Sequence, residues 1–186
     1  MPPKVRIQKE DIVKAAVELV RKNGDQALNA RIIAAALNCS TQPVFSNFAS
    51  MEELRMAVVA GAAELFGEYM RRETESGRYV PYKASGMAYI RFAKEENELF
   101  KLLFMRDRTG EAESAELDFF QQMVKLVERN TGLSGADGEL FHLEVWAYVH
   151  GIAVMQATGY CDLSEELISR MITDAYQGLK KRHEKE

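Results

Sequence analysis

Four short, uncharged hydrogen-bonding side chains, Thr41, Gln42, Ser46 and Asn47, stand in the stretch TQPVFSNF at spacings that share the outer side of a short helix. Hydroxyls and amides so presented do the chemistry of reading base edges, pairing with donors and acceptors in a DNA major groove. Gln42 is the foremost candidate, because a side-chain amide forms a bidentate pair with adenine. Pro43 fixes the backbone early in the helix and is placed to press a thymine methyl. Val44 and Phe48, four apart, face inward. Lys4, Arg6 and Arg31 supply cations for phosphate, and the backbone amides near Ser50 supply neutral donors.

A helix with such a duty must be held by its neighbours, and the flanking sequence provides them. In NARIIAAALNCS the apolar positions Ile33, Ala34 and Leu37 fall at helical spacing, with Asn29 as N-cap. Asn38 ends that helix, since asparagine tolerates the left-handed conformation that follows a helix C-terminus. Cys39 is small enough to point back into the core. On the other side, Ser50 followed three residues later by Glu53 is a capping box, so SMEELRMAVVAGAAELFGEYMRR begins cleanly and runs long. Two short helices joined by a tight turn, then a capped third, form a helix-turn-helix arrangement for DNA.

Charge is distributed to suit that task. The chain of 186 residues carries a net −4, yet residues 1–50 hold seven Lys or Arg against four Asp or Glu, a net of +3, leaving −7 for the remainder. Screening over about 8–10 Å makes the local surplus count for more than the total. Because the surplus is modest, binding is expected to need two copies, which double the phosphate contacts.

Other chemistries find no support. His142 and His150 are eight apart on one helix, about 12 Å, too far to share a metal, and His183 sits in a charged tail. No Ser–His–Asp or Cys–His grouping can be assembled, so neither catalysis, metal nor cofactor is expected. Cys39 and Cys161 have no metal-ligand spacing. No window approaches the roughly 18 apolar residues of a membrane helix. A cytoplasmic protein with free thiols is the expectation.

The arrangement resembles the TetR family of bacterial transcriptional regulators. Ile33, Ala34, Leu37, Ser40, Phe45, Phe48, Ser50, Glu53 and Leu54 stand where that family's DNA-binding segment has its isoleucine–alanine pair, leucine, serine, aromatics and capped fourth helix. The family often has tyrosine at the place of Phe45 and lysine at that of Met51, so phosphate contacts here lean on backbone amides. AYIRFAKEENELFKLLFMRD and VWAYVHGIAVM look like the C-terminal regulatory domain of one subgroup in which a Trp-to-His-Gly stretch recurs. The resemblance implies an all-α fold of about nine helices. A helix-turn-helix domain over 1–50 would precede a larger helical regulatory and dimerisation domain over 51–186.

Coarse periodicity agrees, with helices expected near Lys9–Lys22, Pro81–Lys94, Glu98–Met105, Ser114–Asn130, Glu139–Thr158 and Ser164–Lys181. Apolar residues make up 47% of the chain, enough for a substantial core. Large adaptable side chains crowd the second domain: Phe66, Met70, Met87, Phe92, Phe100 and Phe104, then Phe119, Phe120, Met123 and Trp146. Stripes of this kind are ordinarily core. The resemblance implies instead that several line an apolar ligand pocket, with Tyr89, Trp146 and His150 as polar handles. The final helix carries Leu167, Ile168, Met171, Ile172, Ala175 and Tyr176, and the one before it Tyr148 and Ile152. These close the monomer's own core, or, as the resemblance implies, form a four-helix bundle with a second copy. Two-fold symmetry then calls for an inverted-repeat operator in double-stranded DNA.

The expected function is a homodimeric repressor released from its operator by a small, largely apolar effector. The alternatives are a DNA-binding dimer that needs no ligand and a helical small-molecule-binding protein with a weakened DNA module.

Overall fold

Gly24 is where the first helix must stop, and its φ of 77° is a conformation that side chains with a Cβ rarely adopt. The computed structural model describes residues 7–107 and 114–183, without the side chains of 114–118. Helix α1 spans Lys9–Asn23 and buries Ile12, Ala16 and Val20, one side of a helical period. A single 3-10 turn, Asp25–Ala27, follows; the glycine-ended pattern of the sequence does not foretell it. Lys4 and Arg6 lie outside the described residues.

Helix α2 spans Ala30–Ala36, and Asn29 caps it by accepting the Arg31 N–H at 2.9 Å. Asn38 sits at φ 52°, while the Asn38 and Cys39 amides donate back to the Ala35 and Ala34 carbonyls at 3.1 and 2.9 Å. That is a Schellman closure, with asparagine in the place usually held by glycine. Helix α3, Gln42–Asn47, follows with Pro43 in its first turn. Helix α4, Met51–Glu75, is 25 residues long. At its start the Ser50 hydroxyl accepts the Glu53 N–H at 3.1 Å, but the Glu53 carboxylate reaches one residue further back than a capping box predicts, to the Ala49 N–H at 2.7 Å. Lys9, 2.7 Å from Glu53, holds the carboxylate in that position.

Helices α5, Pro81–Glu95, and α6, Asn97–Phe104, precede α7, Ser114–Thr131; α8, Gly135–Ala157; and α9, Glu165–His183. Helix α8 begins inside the glycine-rich TGLSGADG segment, four residues earlier than the sequence predicts. Gly138 explains why. A Cβ there would meet the Leu133 carbonyl oxygen at 3.0 Å, so the glycine admits a close backbone approach inside the first turn rather than marking a loop. No strand occurs among the described residues.

The chain divides into two compact units, and α4 contributes to both. Among the described residues, those up to Gly67 with Glu96–Arg106 make the first; Glu68–Glu95 and those from Asp107 onward make the second. In the first, α1 packs against α2, α3 and α6. Arg21 clasps the buried Glu96 carboxylate with two guanidinium nitrogens, tying α1 to the start of α6. In the second, α8 packs against α5, α7 and α9. Phe92, Phe141 and Ile152 are wholly buried there. Glu73, also buried, is held by Arg78 at 3.0 Å and Arg91 at 2.5 Å, and Arg91 reaches on to Glu165 at 3.0 Å.

Candidate nucleic-acid interface and ligand cavity

Helix α3 is anchored by Val44 and Phe48, 1% and 2% exposed, and this pair decides which way its other residues face. Gln42, Phe45 and Ser46 are exposed, as are Ser40 and Ser50 at its borders; Thr41, Pro43 and Asn47 are half-buried. Phe45 is 57% exposed, an unusual state for an aromatic on a helix whose other large residues are buried. Asn47 donates one of its two amide hydrogens to the Pro43 carbonyl at 2.8 Å, which ties the side chain back to its own helix. Arg31 is exposed on α2 and makes no ion pair among the described residues, whereas Lys9 and Arg55 are neutralised by Glu53 and Asp25. This surface has hydrogen-bonding groups, one apolar ring and an unpaired cation.

The second unit contains a cavity of about 330 Å³ among α5, α7, α8 and α9, with Met70 from the end of α4. Its inner wall is buried: Tyr82, Tyr89, Met123, Val145, Val149 and Ile172. Phe119 and Trp146 stand at its more open side. Two tyrosine–histidine pairs brace it across α5 and α8. The Tyr82 hydroxyl lies 2.9 Å from His142 Nδ1, and the Tyr89 hydroxyl 2.9 Å from His150 Nδ1. Burial pushes His142 down to about 4 and raises Tyr82, so this pair is neutral near pH 7 and one member donates to the other. Burial also lowers His150, on which Trp146 stacks with ring centres 5.0 Å apart.

The aromatic and Met residues singled out in the sequence separate into distinct groups. Met70, Tyr89, Met123 and Trp146 line the cavity, together with Phe119. Met87 and Phe92 are buried on α5 without lining it, and Phe120 packs on the His142 ring at 5.0 Å. His150 stands behind Tyr89 and Trp146. Phe66, Phe100 and Phe104 belong to the first unit, where Phe66 meets Phe104 edge-on at 5.3 Å and Phe100 is wholly buried. Of the residues expected between copies, Tyr148 and Leu167 are exposed and Met171 and Ala175 half-buried. Ile152 and Ile168 are buried within their own unit, and Ile172 and Tyr176 line the cavity. Tyr82, Lys83, His142 and Thr173 also line it, although helical spacing alone does not single them out. Tyr82 and His142 each lie seven or eight residues before the corresponding members of the Tyr89–His150 pair, and that doubled spacing is the signal the sequence offers for them.

Residues 82–175, half of the chain, match the family model described as the tetracyclin repressor-like C-terminal domain. The chain belongs to the TetR family of transcriptional regulators. Its fold is likewise TetR-like along nearly its whole length. A TetR-like transcriptional regulator from Rhodococcus sp. RHA1 superposes with a TM-score of 0.71 at 18% identity, covering 96% of this chain and 98% of that one. A protein of unknown function from the same organism gives 0.74 at 19% identity, covering 97% and 98%. At such identities the likeness concerns the fold alone. No curated protein sequence matches the chain. Among the described residues no group of three or more His, Cys, Asp or Glu is placed to hold a metal, and no helix is long and apolar enough to cross a membrane.

Proposed function

We propose that this TetR-family chain is a cytoplasmic, homodimeric repressor that binds an inverted-repeat operator through α3 and leaves it when a small, largely apolar effector fills the cavity of the second unit. The observation that carries this reading is the cavity itself. A cavity of about 330 Å³ with an inner wall of buried aromatic and aliphatic side chains offers a small molecule both partial enclosure and apolar contact. Its size is at the lower end of the range of small-molecule sites, about 300–1,000 Å³.

The DNA-binding half of the reading is supported by the exposed Gln42, Phe45 and Ser46 and by the unpaired Arg31. The dimer is supported by α8 and α9, which pack on each other and leave Leu143 and Leu167 46% and 44% exposed. Gly151 and Gly178 on these helices face open space, so another helix could approach closely there. Helix α4 is the covalent link through which occupancy of the cavity would reach α3, because its residues belong to both units. The coupling expected of such a device is about 1–3 kcal/mol.

Selection of bound sequences from a random duplex pool at two salt concentrations tests the reading. An inverted repeat with half-sites centred about 34–36 Å apart, or a multiple of that, is expected. No enrichment at either salt would overturn the DNA-binding assignment.

A further inference from the structure

The walls of the cavity are not uniformly apolar. The buried wall of Tyr89, Val145 and Val149 faces a polar, partly exposed rim to which α5 contributes Lys83 and α9 contributes Thr173, Gln177 and Lys180. On α9 these three are spaced at four and three residues, so one helical face presents them together. Lys83 donates to the Thr173 hydroxyl at 2.8 Å and lies over the Tyr79 ring at 4.9 Å; it has no carboxylate partner among the described residues. No Asp or Glu among the described residues lines the cavity. The protein thus keeps the Lys83 ammonium group on the rim of a largely apolar cavity that no carboxylate among the described residues lines.

We infer that the effector is an amphipathic monoanion, an apolar chain or ring system bearing one carboxylate, which inserts its body against the inner wall and meets Lys83 at the rim. This rests on the ligand-release reading above and adds the chemical class of the ligand. Partial desolvation lowers Lys83, so an incoming carboxylate would restore a stabilising partner to its charged form. The aromatic wall by itself would also suit a lipophilic cation. Lys83 argues against one, because a cation would be brought beside a like charge that no carboxylate among the described lining residues balances.

Trp146 is the chain's single tryptophan and lines the cavity, so its fluorescence reports occupancy directly. Full-length protein is titrated with decanoate, 1-decanol and decyltrimethylammonium. Decanoate is expected to bind at least tenfold more tightly than either of the others. Lys83→Met, which keeps the aliphatic stem, should remove most of that preference while decanol still binds; Lys83→Gln, which keeps a donor for the Thr173 hydroxyl, serves as a second variant should the first be unstable. Equal binding of decanoate and decanol, or tighter binding of the cation, overturns the anion assignment and leaves the ligand cavity standing. If none of the three perturbs Trp146 or the melting temperature, the ligand-release reading falls with it.

Discussion

Gln42 is exposed at the first position of α3, whereas the half-buried Asn47 commits one amide hydrogen to the Pro43 carbonyl within the same helix. The two amides therefore have different freedom to meet a base. Gln42→Ala should relax preference at one operator position by about 1–3 kcal/mol, measured by competition between the selected duplex and its single-base variants. Arg31→Ala should instead weaken all duplexes alike and reduce the salt slope by about one for each module that loses the contact. Loss of discrimination at Arg31, or none at Gln42, would mean that α3 does not read bases in this orientation.

His142 makes a second residue-scale prediction. Its folded value, pushed to about 4 by burial, lies below the 6.5 of an exposed imidazole, so the unfolded chain binds the proton more readily between those values. The associated stability is fully present above pH 6.5 and is lost as pH falls through about 4, about 3 kcal/mol in total. Urea unfolding from pH 7 to pH 4 should show this decline, and His142→Gln should flatten it. A decline of the same size in the variant would assign the acid sensitivity elsewhere.

Among the elements, the end of α4 and the last third of α5 are joined by an ionic contact. The Glu73 carboxylate is 1% exposed, and one of its oxygens has no hydrogen-bond partner within the described protein, so the carboxylate relies on Arg78 and Arg91. Burying a charge is unfavourable unless it is paired, and Arg91, at 27% exposure, is the better shielded of the two partners. Arg91→Met should destabilise the fold by about 2 kcal/mol, less than for a fully buried pair because Arg78 remains. Arg71→Met, which breaks only an exposed pair with Glu75, should change stability by less than about 0.5 kcal/mol. Comparable melting temperatures for the two variants would show that Glu73 does not depend on Arg91.

For the whole molecule, the expected assembly rests on the faces that α8 and α9 leave open. A Leu143→Arg, Leu167→Arg double variant places charge at two exposed apolar positions and leaves the buried Ile152 and Ile168 untouched. Sedimentation should show a folded monomer, with affinity for the inverted repeat weakened and the salt dependence of the remaining binding roughly halved, since one module neutralises half as many phosphates. A dimer that survives both substitutions would place the contact elsewhere.

Much of this architecture is legible in the sequence because it has a local cause. Asn29 as a cap, Asn38 as a left-handed closure, Gly24 as a stop and Val44 with Phe48 as the buried pair of α3 all act within a few residues of themselves, through backbone preferences and helical spacing. The outward surface of α3 follows from that pair, because fixing the inner side of a short helix fixes its outer side. The cavity has no such local origin. Helical spacing says that Phe66, Phe100, Phe104, Phe92 and Met123 face inward, but the hydrophobic effect has no direction and does not say which neighbour each will meet. Tertiary packing alone groups Phe66 with Phe104 in the first unit, buries Phe92 in the second and leaves Met123 beside open volume. It also brings Tyr82 to His142 and Tyr89 to His150 across some 60 residues of sequence, and sets Lys83 against Thr173 on a rim with no carboxylate among the described residues. Short-range chemistry along the chain therefore specifies the helices, their ends and the face of α3, whereas the choice of side chains that enclose the cavity, and the charge at its rim, arise from distant helices packing together.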